Sequence, residues 1–266
     1  MDVDFTPETY KRFLSALKAH HCYRIMHDID RYPNRALVIA NIEAEVGLSV
    51  TYYFRITKES YDENIIQQIV SMGHTVGYHY ECLTTCNGDI DAAYEDFCRN
   101  LDKFRKIVPV TTACAHGSPR SPWNSQYMWE TSRRQVNEST RQQDFETSSL
   151  RDIHALGIEY EPMLDTDFSK TLYLTDTGRR WDGYKVSVRD KVPQYQEQWE
   201  KEGLVFHTTD DIIQALRNPE HPIHKYDLLI NTHPQRWMPF GLSWLKEATL
   251  QNIKNIAKRI IVLNQK

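Results

Sequence analysis

Asp28 and Asp30 stand two apart in the run Tyr23-Arg24-Ile25-Met26-His27-Asp28-Ile29-Asp30, which ends at Arg31-Tyr32-Pro33. An extended chain turns alternate side chains to opposite faces, so the two aspartates share one side and His27 and Ile29 take the other. Two carboxylates held this close repel each other. They persist where a cation neutralises them or where one of them acts as a base. The plainer reading is a cap for the helix after the proline turn. Three more polar clusters follow: His79-Tyr80-Glu81, His116-Gly117-Ser118-Pro119 and Thr232-His233-Pro234. A lone histidine in such a place is usually a structural hydrogen-bonder. Histidines and aspartates recurring with an open position are what a catalytic divalent metal needs, and imidazole-rich sites favour zinc.

These clusters have to be brought together by the elements around them. Thr6-Pro7 opens a helix whose apolar face is Phe13, Leu14 and Leu17, and the strand over residues 23–30 follows. Helical periodicity over 34–46 stops at Gly47, a β-branched and aromatic run over 49–56 predicts a strand, and a helix over 63–72 stops at Gly73. Strands over 75–80 and 110–115 flank a long helix over 89–107. Residues 122–156 read as polar and mostly helical, and 157–184 as two short strands with an elaborated loop. Helices over 193–202 and 210–217 bracket a strand over 204–207. A last strand over 226–231 and a helix over 243–262 complete the chain. Strand–helix alternation with short joints implies parallel strands linked by crossover helices. All four clusters then fall at strand C-termini, the rim that carries the active site in α/β barrels.

The 266 residues contain no linker, repeat or low-complexity tract, and predict one domain over 1–266. A net charge of -4 gives no bulk attraction to nucleic acid or anionic membrane. No apolar run approaches the roughly 20 residues of a membrane span. The acidic start MDVDFTPETYKRF is not a signal peptide, and five cysteines without a CxxC pair suit reduced thiols, so a cytoplasmic protein is expected. No glycine-rich nucleotide loop is present.

The order HDID, GHTVGYHYE, HGSP and NTHP resembles the polysaccharide deacetylase superfamily of carbohydrate esterase type (NodB homology). The likeness covers most of residues 23–119, and the tail only through Leu229 to Pro234. It implies an α/β fold, an incomplete or irregular (β/α) barrel, TIM-like, of about seven strands. It also implies removal of acetyl groups from sugars by a metal-activated water. In the family pattern the first aspartate is the base and the next a metal ligand, which maps to Asp28 and Asp30, here separated by Ile29. The GHTVGYH strand makes His79 a metal ligand, and the closing motif makes His233 the catalytic acid. The family's second metal histidine, four residues after the first, is Leu83 here, and His116 stands about where its arginine is expected. The inferred metal set is therefore Asp30, His79 and His116 around Zn²⁺ or another divalent ion, with Glu81 as the competing third ligand.

Residues 175–183 form the other ordered stretch. Arg179, Arg180, Trp181 and Asp182 suit recognition of an acidic sugar, or of the pyrophosphate of a nucleotide- or lipid-linked sugar; a hairpin with self-paired charges is the alternative. Trp237 either lines the same pocket or anchors the last helix. His74, at a strand start, reads as structural, and Cys82 and Cys86 as incidental. The expectation is a metal-dependent hydrolase removing an acyl group from a carbohydrate or glycan precursor. Its rivals are a lapsed carbohydrate-binding protein, favoured by Leu83, and a metal-dependent amidase on a small non-sugar substrate.

Overall fold

The structure is a computed structural model and describes residues 3–118, 121–129, 151–185, 187 and 189–264, with side chains to residue 256. Six parallel strands form one sheet: β1 (Tyr23–Ile29), β2 (Thr51–Phe54), β3 (Thr75–Tyr80), β4 (Ala113–Ala115), β5 (Thr171–Thr175) and β6 (Asp227–Thr232). Their order is β4-β3-β2-β1-β6-β5, so the last strand is inserted between the first and β5. The sheet curls into a half-barrel, consistent with an incomplete (β/α) barrel.

The described strands number six rather than about seven, and two segments account for the difference. Residues 158–161 reach β4 through a single bridge, Thr112 to Tyr160. Residues 204–207 form no strand, because the Leu204 amide returns to the Trp199 carbonyl to close the preceding helix. Leu204 and Phe206 are still buried, which is the apolar signal that suggested a strand. Most of the stretch 122–156 lies outside the described residues. Its described flanks hold 3-10 turns at Ser125–Met128 and His154–Leu156.

The larger helices are α1 (Pro7–Leu17), α2 (Pro33–Glu45), α3 (Glu63–Ser71), α5 (Ile90–Arg105), α7 (Pro193–Lys201), α8 (Thr209–Arg217) and α9 (Leu242–Asn264). Short turns α4 (Cys82–Thr85) and α6 (Pro162–Asp165) follow β3 and precede β5. Thr6, Asp62 and Asp89 cap α1, α3 and α5 by accepting from the amides of Thr9, Ile65 and Ala92, each cap contributing about 1 kcal/mol. Helix α2 starts differently. Its N-cap is Tyr32, left-handed at φ 58, and no side chain caps it. Asp30 is therefore not spent on capping. No helix among the described residues is long and apolar enough to cross a membrane.

Strand alternation divides the sheet into two faces. Ile25, His27 and Ile29 of β1 are buried on the helix side, with Tyr52, Tyr78 and Tyr80, and the apolar core from Phe5 to Trp237 spans both faces, taking in Met26, Tyr53 and Tyr173 as well. Met26, Asp28, Tyr53, Gly77, His79, Thr112, Cys114, Tyr173 and Asn231 occupy the concave side. Tyr53 and Thr112 hydrogen-bond across it at 2.7 Å, and Asn231 spans to Asp28 and Tyr173. A Cβ at Gly77 would run into the Tyr53 ring and stand 2.9 Å from the Thr112 carbonyl, so only glycine lets the interior close this tightly.

Candidate metal centre

The parallel register aligns the C-terminal ends of β1, β3, β4 and β6 on one rim, with His79 beside Cys114 and His27 beside Thr232. There Asp30 Oδ1 lies 3.2 Å from His116 Nδ1 and 3.8 Å from His79 Nε2, and the two imidazoles approach to 3.2 Å. Asp28 Oδ1 is 3.9 Å from the same His79 Nε2. His233 Nε2 faces both carboxylates, 3.9 Å from Asp28 Oδ2 and 4.0 Å from Asp30 Oδ2. One ligand atom from each of Asp30, His79 and His116 falls within a 4.8 Å cluster.

In each aspartate the two oxygens have different fates. Asn231 donates to Asp28 Oδ2 at 2.8 Å, and Gln235 donates to Asp30 Oδ2 at 3.1 Å. Both Oδ1 atoms are buried with no hydrogen bond. An unsatisfied buried acceptor costs about 1–3 kcal/mol, more when charged, and a cation between these oxygens and the imidazoles could offset that cost. A carboxylate oxygen and two imidazole nitrogens are a donor set that could hold a divalent ion.

The protonation states agree. The Cys114 carbonyl can only accept, so His79 Nδ1 donates to it at 3.0 Å, and Nε2 keeps its lone pair in the neutral ring. Burial holds the His79 pKa below its ordinary value, with Asp28 offsetting only part of the effect. Burial pushes the Asp30 carboxyl up, but His116, then His233 and His79, hold it well below the usual range. A neutral imidazole beside a carboxylate is the state that a metal requires.

His233 has an orienting partner that the sequence did not single out. Asp176, fully buried at the end of β5, accepts from His233 Nδ1 at 2.7 Å, from the His233 amide at 3.0 Å, from Arg236 at 2.6 Å and from Trp237 Nε1 at 2.8 Å. Burial raises the Asp176 pKa, yet Arg236 and His233 bring it down to about 2. Burial and Arg236 press His233 toward neutrality, but Asp176 and Asp30 outweigh them and raise its pKa. This favours the doubly protonated ring, in which Nε2 would present a proton to the two aspartates. Behind Asp28, Asn231 also donates to the Tyr173 hydroxyl at 3.1 Å, which donates to Asp190 at 2.6 Å.

Other expected residues have other partners. Glu81 is clamped by Arg55 through Nη2 at 2.5 Å and Nε at 3.1 Å, so it does not join the cluster. Leu83 is fully buried in α4. Among the proposed substrate residues, Arg179 stacks 4.2 Å from the Trp244 ring centroid and 5.6 Å from that of Phe5. Arg180 and His207 pair with Asp182. Trp181 is buried against Phe5 and Phe13, with its indole N–H on Thr209. Trp237 is buried on Tyr10 and Phe5. Arg180 and Asp182 pair with each other, Trp181 and Trp237 pack against α1, and Arg179 lies against α9 with both terminal nitrogens buried and without a hydrogen bond. His74 bridges the Ala40 carbonyl and the Val50 amide, a structural tie. Pro119 lies outside the described residues. No family model, no curated protein and no solved structure matches this chain.

Proposed function

We propose that this chain is a metal-dependent hydrolase that removes an acyl group, acetyl foremost, from a carbohydrate or glycan precursor. The observation that carries the reading is the convergence of two buried Asp Oδ1 atoms on His79 Nε2, with His116 3.2 Å from that of Asp30 and His233 near both carboxylates. A divalent ion held by Asp30, His79 and His116 would polarise the acyl carbonyl and make a water acidic near neutral pH. Asp28 is placed to take the proton of that water, with Oδ2 pinned by Asn231 and Oδ1 free. His233, protonated on Nε2 and aligned by Asp176, is placed to give a proton to the departing amine or alcohol.

The rim next to Asp30 supports an anionic sugar. Tyr32 is 49% exposed in a strained left-handed conformation, with the guanidiniums of Arg35 and Arg31 at 4.7 Å and 5.7 Å from its ring centroid. Arg35 also donates to the Gln235 carbonyl, and the Gln235 side chain holds Asp30. A phenol ring between two cations suits a sugar carrying a carboxylate or phosphate, including a nucleotide- or lipid-linked one.

Metal content tests the reading. The wild type is expected to hold about one equivalent of zinc, as a single catalytic site does. His79→Ala should lose it, and the wild type with a divalent ion at Asp30, His79 and His116 should release acetate from acetylated sugars. A wild type that stays metal-free after zinc is supplied would overturn the hydrolase and leave the lapsed binding protein, which the buried Leu83 favours.

A further inference from the structure

Cys114 sits in the middle of β4, directly beside His79 in the register, and its side chain turns to the concave face. Its Sγ lies with one ligand atom each of Asp28 and His79 in a cluster whose members are all within 4.8 Å, and all three residues are buried. The thiol's hydrogen-bonding contact is a weak one, 3.9 Å to the neighbouring Ala115 carbonyl. Buried cysteines are ordinarily inert small apolar side chains, as Cys82 is on the other face beside the Tyr78 hydroxyl. Cys114 differs because the unpaired, buried Asp28 Oδ1 and the His79 lone pair share its space.

We propose that Asp28, His79 and Cys114 form a second, deeper metal seat beneath the Asp30–His79–His116 seat, selective for thiophilic ions. This rests on the metal-dependent reading above. His79 Nδ1 is committed to the Cys114 carbonyl, so only Nε2 can bind a metal, and both seats need it. The seats are mutually exclusive. The upper oxygen- and imidazole-based seat accepts harder ions such as manganese, whereas the thiolate draws zinc, cadmium or copper(I) downward. Occupying the lower seat breaks the S–H bond, giving the sulfur electron pair to the ion and the proton to solvent. It also turns Asp28 from a base into a ligand, so the lower-seat form lacks its proton acceptor. The identity of the loaded ion then decides whether the protein hydrolyses.

Cobalt(II) added to the metal-free full-length protein separates the cases. A near-ultraviolet thiolate-to-cobalt charge-transfer band is expected, absent in Cys114→Ser and Cys114→Ala but retained in His116→Ala, which lacks only the upper seat. Cobalt bound without that band, or a band that survives loss of Cys114, would remove the lower seat and leave the hydrolase reading intact. No cobalt bound at all would remove both. Should the Cys114 variants fail to fold, cadmium NMR of the wild type decides, since sulfur ligation shifts the resonance far downfield of an oxygen and nitrogen set. A resonance at the oxygen–nitrogen position would overturn the proposal.

Discussion

His27 and Asp28 are neighbours on β1, both buried, yet they belong to two networks of opposite character. On the helix side, Glu43 accepts from His27 Nε2 at 2.8 Å and from the hydroxyls of Tyr10 and Tyr52, while His27 Nδ1 meets Thr232 Oγ1 at 2.6 Å. Burial pushes the Glu43 carboxyl up, and His27 with the Tyr10 and Tyr52 hydroxyls together bring it below its ordinary value. Burial and then Glu43 hold both tyrosine hydroxyls well above their ordinary pKa. The network is closed. On the concave side, Asp28 is satisfied on one oxygen and bare on the other, while Asp30 holds Gln235 on one oxygen and faces His116 and His79 with the other. A saturated buried charge stabilises one arrangement, whereas an unsaturated one has acceptor capacity left for a further partner. Burial alone does not distinguish them; the count of partners does.

The sharpest way to break the contrast is Glu43→Ala. It strands His27 and two tyrosine hydroxyls, and should cost about 3–5 kcal/mol, read as a lower denaturant midpoint, without changing metal stoichiometry in the folded fraction. Asp28→Asn tests the opposite face. Turnover should fall about a hundred- to ten-thousand-fold with the denaturant midpoint nearly unchanged; a stability loss matching that of Glu43→Ala would merge the two networks. Next comes Asn231→Ala, which frees Asp28 Oδ2. A drop in kcat of about 10–100-fold at nearly constant KM is expected, the size typical of residues that orient a reacting group. Glu81→Gln should do least: about 1 kcal/mol of stability from its Arg55 pair, and no change in metal affinity by competitive chelation. A metal loss there would return Glu81 to the ligand set.

The concave face was legible from the alternation of HDID and from polar clusters at strand ends, because period-two geometry fixes which side chains share a face. His79, His116 and His233 meet Asp28 and Asp30 through nothing subtler than parallel strands in register. Asp176 was hidden by its company. It stands at the end of β5, as the other clusters do at theirs, but reads as part of the charged run 175–183. That run illustrates a limit of composition, since Arg180 and Asp182 look the same in a sequence whether they bind a ligand or each other. Asn231 opens the NTHP motif at the end of β6, but only its 2.8 Å bond to Asp28 reveals its partner. The false strand at 204–207 had the right hydrophobicity but no neighbour to bond, which is a tertiary fact.

The insertion of β6 between β1 and β5 has a consequence in time. Asn231 and Thr232 serve Asp28 and His27 from 203 and 205 residues away. At ribosomal speeds the aspartates emerge roughly 10 to 40 seconds before the strand that holds them. Throughout that interval β1 is an open edge, and neither network can close. A nascent chain thus holds Asp28 and His233 apart, and the concave cluster assembles only with the final strand.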